Sequence, residues 1–220
     1  MNQQDPNSDP EPRSAQHLRS ALVHIFDDDA SFLTATEGRL RCAGYAIATY
    51  NSSQHLLDYL PRESAPGCLL LSAQMPGLGG LVLQSRLSEL GATLPIVFVA
   101  DYPDIPATVA AIKAGALDFL IKPITSKQLL EVVERAIAQH DAARDLKIKS
   151  DVAHARLAAL TPRQRQVFDL IVSGNTGKRA SCALGCTERT IKAHRHMVMK
   201  KMQVQSVAHL VSFAERSLSR

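Results

Sequence analysis

Between Ala21 and Ile121 the chain alternates short, uninterrupted apolar runs with longer amphipathic stretches. The runs Ala21–Phe26, Tyr45–Thr49, Cys68–Leu71, Ile96–Val99 and Leu117–Ile121 have the length of strands. Helix-period patterns separate them at about 30–43, 53–60, 80–90 and 106–114, and a further helix opens near Ser126. A strand that is apolar throughout must be covered on both faces, and the intervening helices supply both covers. The pattern therefore predicts a doubly wound α/β fold with a five-stranded parallel sheet. In open parallel sheets, ligands sit beyond the carboxyl ends of the strands. The residues there are Asp27, Asp28 and Asp29 after the first strand, Ser72 after the third, Ala100 and Asp101 after the fourth, and Lys122 with Pro123 after the fifth.

Composition narrows the class. The 220 residues are enough for two modest cores, and 45% apolar with 21% charged residues excludes a disordered or fibrous chain. Apolar runs such as Ile96–Ala100 are too short to span a bilayer. Residues 1–20 are polar and proline-containing, which predicts a disordered tail and no signal peptide. Four scattered cysteines, Cys42, Cys68, Cys182 and Cys186, argue for reduced thiols, so a cytoplasmic protein without membrane contact is expected. Charge is divided unevenly. Residues 1–150 carry 13 Lys and Arg against 17 Asp and Glu, a net −4, whereas residues 151–220 carry 12 against 4, a net +8. The C-terminal part is expected to meet a polyanion.

Over about residues 21–140 the chain resembles a receiver domain of the two-component response regulators. The resemblance rests on the acidic cluster after the first strand, the Met75-Pro76-Gly77 turn with Gly80, the Ala110–Ala116 segment and the Lys122-Pro123 pair. It implies a flavodoxin-like fold and a phosphoryl site in which Asp27 and Asp28 match the acids that help hold Mg²⁺, and Lys122 matches the lysine that pairs with the phosphoryl group. Ser72 stands at the phosphoacceptor position and Ala100 at the position of a hydroxyl that contacts the phosphoryl oxygen. A neutral serine hydroxyl is a poor nucleophile without a base, and Mg²⁺ prefers carboxylate oxygens. The expectation is a phosphorylation-independent receiver with Mg²⁺ binding weak or absent and no cofactor. Asp27–Asp29 are then expected to form a solvated, mutually repelling cluster, with Lys122 neutralising Asp27 or Asp28. Asp101 as a replacement cation ligand is the alternative. Phe119, at the family's switching aromatic position, is expected to be core or half-buried.

A helical pattern runs from Ser126, the expected cap, to about Ala159, and residues 141–155 are expected to serve as a helical linker bearing part of a dimer surface. Beyond it, Thr161-Pro162 opens a helix that stops at Gly174-Asn175. Short helices over 176–184 and 187–202 follow, joined at Gly185, and one over 206–215 closes an all-α four-helix unit, residues 156–220. The basic third helix after a glycine turn is a helix-turn-helix arrangement. Residues 155–217 resemble the LuxR-type DNA-binding domain of FixJ/NarL-type response regulators. The match is carried by Leu160-Thr161-Pro162-Arg163, Gly174, Leu184-Gly185, the Glu188–Arg195 run and Lys201-Met202.

The resemblance implies that Lys192, Ala193 and His196 face bases or nearby phosphates, and that Arg189, Arg195 and Lys200 contact the DNA backbone. Thr190 and His194 orient on phosphates or support the turn, and Val198 and Met202 belong to the core. Gln164, Gly177, Arg179, Ala180 and Ser181 depart from the family pattern, and Gly177 is expected to cost about 1 kcal/mol against Ala. Cys182 and Cys186, with His194 and His196 downstream, share a helix face only if the helix continues through Gly185. Buried thiols without metal are the expectation.

The chain is thus expected to be a non-enzymatic, homodimeric regulator of transcription that binds double-stranded DNA. A sensor kinase, a partner protein, a small ligand or redox chemistry would act at its receiver. An interaction module that never touches DNA is the rival reading.

Overall fold

The computed structural model describes residues 21–59, 65–75 and 79–218. The expected tail over 1–20, together with Pro76 and Gly77 of the turn, lies outside the described residues. The chain divides at Arg144 and Asp145 into two compact units.

In the first unit, β1 (Leu22–Phe26), β2 (Ala46–Tyr50), β3 (Gly67–Ser72), β4 (Ile96–Ala100) and β5 (Asp118–Ile121) form one sheet of order β2-β1-β3-β4-β5. All four pairings are parallel. Between the strands lie α1 (Ala30–Cys42), α2 (Ser53–Tyr59), α3 (Gly80–Glu89) and α4 (Ile105–Lys113), and α5 (Ser126–Ala158) follows β5. The central strands β3 and β4 are buried at every residue, while the edge strands β2 and β5 are largely half-exposed. On one face Val23, Ile25, Leu70 and Val97 pack against Leu40 of α1 and Leu129, Val133 and Ile137 of α5. On the other, Phe26, Leu69, Leu71 and Phe98 pack against Leu56, Leu83, Leu87 and Ala111 of α2, α3 and α4. The sheet is doubly wound.

Local chemistry sets the element ends. Asp29 caps α1, its carboxylate accepting from the Ser31 and Phe32 amides. Asp104 does the same for α4 through Ala107. α5 is capped by Thr125 rather than by Ser126. Thr125 Oγ1 accepts from the Gln128 amide at 3.3 Å and Gln128 Oε1 accepts from the Thr125 amide at 3.1 Å, a capping box that makes Ser126 the first helical residue. Gly80 has to be glycine, because a Cβ there would lie 2.5 Å from the Ser72 carbonyl oxygen and 2.9 Å from the Phe98 ring.

The second unit is helical: α6 (Pro162–Val172), α7 (Gly177–Leu184), α8 (Glu188–Met202) and α9 (Val207–Leu218). Their core is Val167, Phe168, Ile171, Ala180, Ile191, Val198, Met202, Leu210 and Ala214, joined by Leu157 and Leu160. Thr161 and Gln164 form a capping box at α6, and Thr176 and Thr187 cap α7 and α8. α7 ends at Gly185, which is left-handed with φ 60°. The helix does not continue to Cys186, so Cys182 and Cys186 do not share a helix face. Cys182 is exposed, and Cys186 is half-buried against the core. Gly177 is the first residue of α7 rather than an interior one, so the interior helix penalty expected for it does not apply in full.

Candidate strand-end pocket and nucleic-acid interface

The carboxyl ends of β1, β3, β4 and β5 bring Asp27, Ser72, Ala100, Asp101 and Lys122 to one end of the sheet. The three consecutive aspartates have three different environments and do not form a solvated, repelling cluster. Asp27 is 1% exposed, Asp28 is exposed, and Asp29 is occupied as the α1 cap. Asp27 Oδ1 accepts from the Asp29 amide at 2.9 Å, and Oδ2 lies 3.0 Å from Lys122 Nζ. The same ammonium is 3.4 Å from Asp101 Oδ1 and 4.2 Å from the centre of the Phe32 ring. Burial alone would lower the Lys122 pKa. The hydrogen bond and charge of Asp27, with Asp101 beside it, more than offset that, and the ammonium is held above the ordinary lysine value.

Ser72 is 3% exposed, and its hydroxyl donates to the Gln74 carbonyl at 3.1 Å. Ala100 is buried and contributes no polar atom. Phe119 is half-buried and stacks on Phe98 at 5.9 Å. This donor set does not suit Mg²⁺. Asp27 is engaged by an ammonium and a hydroxyl stands where a third carboxylate would bind, which leaves only the exposed Asp28 of the pair matched to the Mg²⁺ acids. Among the described residues no group of three or more His, Cys, Asp or Glu is arranged to hold a metal ion.

In the second unit, α8 divides into two faces. Ile191, Val198 and Met202 are 3%, 0% and 0% exposed and form the core face. Arg189, Lys192, Ala193, His196 and Lys200 follow at i, i+3, i+4, i+7 and i+11, which places them on the opposite side of the helix. All five are exposed. Arg195 is exposed on one flank. Thr190 and His194 are half-buried on the other, and the Thr190 hydroxyl lies 2.9 Å from that of the capping Thr187. Lys201 shares this flank and donates to Gln164 Oε1 and the Ala159 carbonyl, both at 2.8 Å. Gln164 thus serves both the capping box and Lys201.

Arg156, which no motif singles out, donates to the Met202 carbonyl at 3.1 Å and to Gln203 Oε1 at 2.6 Å. It ties the end of α5 to the C-terminus of α8. Its only signal in the sequence is a cation in the last turn of a long helix.

A doubly wound sheet with a buried Asp27 paired to Lys122 at its strand ends, followed by a helix-turn-helix with a cationic outer face, defines a DNA-binding response regulator. Residues 23–134 match the response regulator receiver domain family, and residues 158–214 match the luxR family of bacterial regulatory proteins. The chain belongs to the response regulators of the FixJ/NarL type, which regulate transcription by binding DNA and are not enzymes.

It is 35% identical over 198 residues to the response regulator protein TodT of Pseudomonas putida, covering 90% of this chain and 87% of that one. It is 36% identical over 196 residues to the transcriptional regulatory protein FixJ of Bradyrhizobium diazoefficiens, covering 89% and 95%. Among solved structures it is similar to the response regulator StyR, with a TM-score of 0.84 and 35% identity over 90% of this chain and 99% of that one. Among the described residues no helix is long and apolar enough to cross a membrane.

Proposed function

We propose that this regulator binds DNA without a phosphorylation cycle. The observation that carries the reading is the state of the strand-end pocket. The hydroxyl at the phosphoacceptor position donates to a backbone carbonyl, and the buried carboxylate beside it is neutralised by Lys122. A phosphoryl group arriving there would find neither a carboxylate nucleophile nor a hydroxyl at Ala100 to report its arrival. Control then comes from a partner protein or a small ligand acting on the receiver, or from the amount of protein made.

On DNA, α8 enters the major groove. Lys192, Ala193 and His196 face base edges or nearby phosphates, and Arg189, Arg195 and Lys200 neutralise phosphates, with Thr190 and His194 supporting them from the flank. The active species is a homodimer. An exposed apolar row on α4, Ile105, Val109 and Ile112, supports this, as do exposed Leu146, Ile148 and Val152 on the linker part of α5.

The test is to incubate the full-length protein with Mg²⁺ and a small phosphodonor, and then measure phosphate incorporation and retention of genomic DNA fragments. The expected outcome is no incorporation, with discrete fragments retained equally with and without the donor. Stable phosphorylation accompanied by a gain in DNA affinity would reject the reading.

A further inference from the structure

At the opposite end of the sheet from Ser72 and Lys122, around the amino ends of β3 and β4, lies a pocket of about 200 Å³. Leu69, Leu87, Ile96 and Leu117 give it apolar walls, and Ser88 and Gln139 add polar groups at exposed positions. An apolar cavity of about 150 Å³ holds one benzene ring, so this pocket has room for a ring-sized molecule.

Gln84, on the buried side of α3, also lines the pocket. It is 3% exposed, and its Nε2 donates to the Ala111 carbonyl at 3.2 Å. That bond fixes the amide's orientation, because turning it over would set oxygen against oxygen. Oε1 is thereby left buried without a hydrogen-bond partner. A buried acceptor left unpaired carries its full desolvation cost, and an apolar side chain of the same size would serve the fold at least as well.

The helix ends set the chemistry that suits this acceptor. The last turn of α3 reaches the pocket through Leu87 and Ser88, and the end of α4 through Ala114 and Gly115. Helix C-termini present carbonyl oxygens and the negative ends of their dipoles, which favour a donor and disfavour an anion. Among the described residues no charged side chain lines the pocket, so a charged ligand would lie there unpaired.

We infer that this pocket binds a small uncharged molecule with a ring-sized apolar body and an O–H or N–H that donates to Gln84 Oε1. The terminal amide torsion of glutamine is broad, so a small turn brings Oε1 to such a donor. The inference rests on the reading of a receiver controlled without phosphorylation. It deepens that reading by giving the small ligand a place and a chemistry.

The test uses the full-length protein and four probes. Benzyl alcohol and benzamide carry a donor, benzyl methyl ether carries none, and benzoate is an anion. Dissociation constants are measured by NMR titration of wild type, Gln84→Leu and Ser88→Trp. Benzyl alcohol and benzamide should bind wild type about tenfold tighter than the ether, with benzoate weakest. The largest amide shifts should fall at Gln84, Gly115 and Leu117. Gln84→Leu should melt at or above wild type, because the Ala111 carbonyl keeps its bond from the Ala116 amide at 3.0 Å. It should bind the alcohol and the ether equally. Ser88 is exposed, so Ser88→Trp should also fold, and should lose the probes by closing the mouth of the pocket.

Binding of no probe to wild type overturns the site while leaving the phosphorylation-free reading in place. Equal binding of alcohol and ether to wild type, or a preference that survives Gln84→Leu, also overturns it, since the acceptor would then play no part. A protein that is stably phosphorylated and gains DNA affinity, yet still selects the alcohol through Gln84, would reject the earlier reading and keep the pocket.

Discussion

His24 lies in the middle of β1, 5% exposed, with Nδ1 3.0 Å from the Tyr50 hydroxyl. Burial first, and then the nearby charge of His140, lower its pKa from 6.5 to about 4. His140, also buried, is shifted the same way, with burial again the largest cause. A folded-state pKa below the unfolded value means that the unfolded chain binds more protons between the two. The stability at stake is therefore fully present above pH 6.5 and is lost as the pH falls toward 4. For His24 alone the loss is about 3 kcal/mol. Urea midpoints measured from pH 7 to pH 4 should fall steeply in wild type and less steeply in His24→Phe, and equal slopes would refute the assignment.

The same scale separates the two partners of Lys122. Removing the ammonium in Lys122→Met strands Asp27 at 1% exposure, which should cost about 3 kcal/mol. Asp101→Ala removes a side chain that is 62% exposed and should cost less than about 1 kcal/mol. Chemical denaturation of the two variants at pH 7 checks the contrast.

Among the elements, the C-terminus of α8 depends on a residue from another helix. Gln203 closes α8 in the left-handed region at φ 55°, and Arg156 brings a guanidinium to the Met202 carbonyl, where the negative end of the helix dipole lies. Arg156→Ala should lower stability by about 1 kcal/mol and weaken DNA binding on every sequence alike, because α8 frays while the side chains of its outward stripe are untouched. Melting and DNA titration of the same preparation test both halves of that statement.

Arg156 also shows where reading from sequence ends. The buried strands β3 and β4 were legible as unbroken apolar runs because both of their faces are covered. The edge strand β2 begins at Ala46, not Tyr45, because a half-exposed strand carries a weaker pattern. The residues of the outward α8 stripe were legible through the family motif and its helical spacing. The separate environments of Asp27, Asp28 and Asp29, the choice of Thr125 over Ser126 as the cap, and the reach of Arg156 depend on side-chain partners. Those partners lie up to 95 residues away for Asp27 and 47 for Arg156. Neighbouring sequence holds no trace of those distant pairings, whereas the Thr125 cap is written locally as Thr-x-x-Gln with Gln128.

For the whole molecule, charge and copy number converge on one measurable quantity. Arg189, Lys192, Arg195 and Lys200 are exposed on α8, and if each neutralises one phosphate, a single copy releases about four counterions. The plot of log affinity against log salt then has a slope of about −3.6 for one copy and about −7 for two copies on paired half-sites. A homodimer built through the apolar row of α4 predicts the steeper value. Val109 is 45% exposed and central in that row, so Val109→Glu should leave the fold intact while placing like charges against each other across the interface. That variant should sediment as a monomer, and its slope should relax toward the single-copy value with the α8 contacts unchanged. A slope that stays near −7 in a monomeric Val109→Glu would mean that DNA itself pairs the two copies. A slope near −3.6 in wild type would remove the dimer from the binding mechanism.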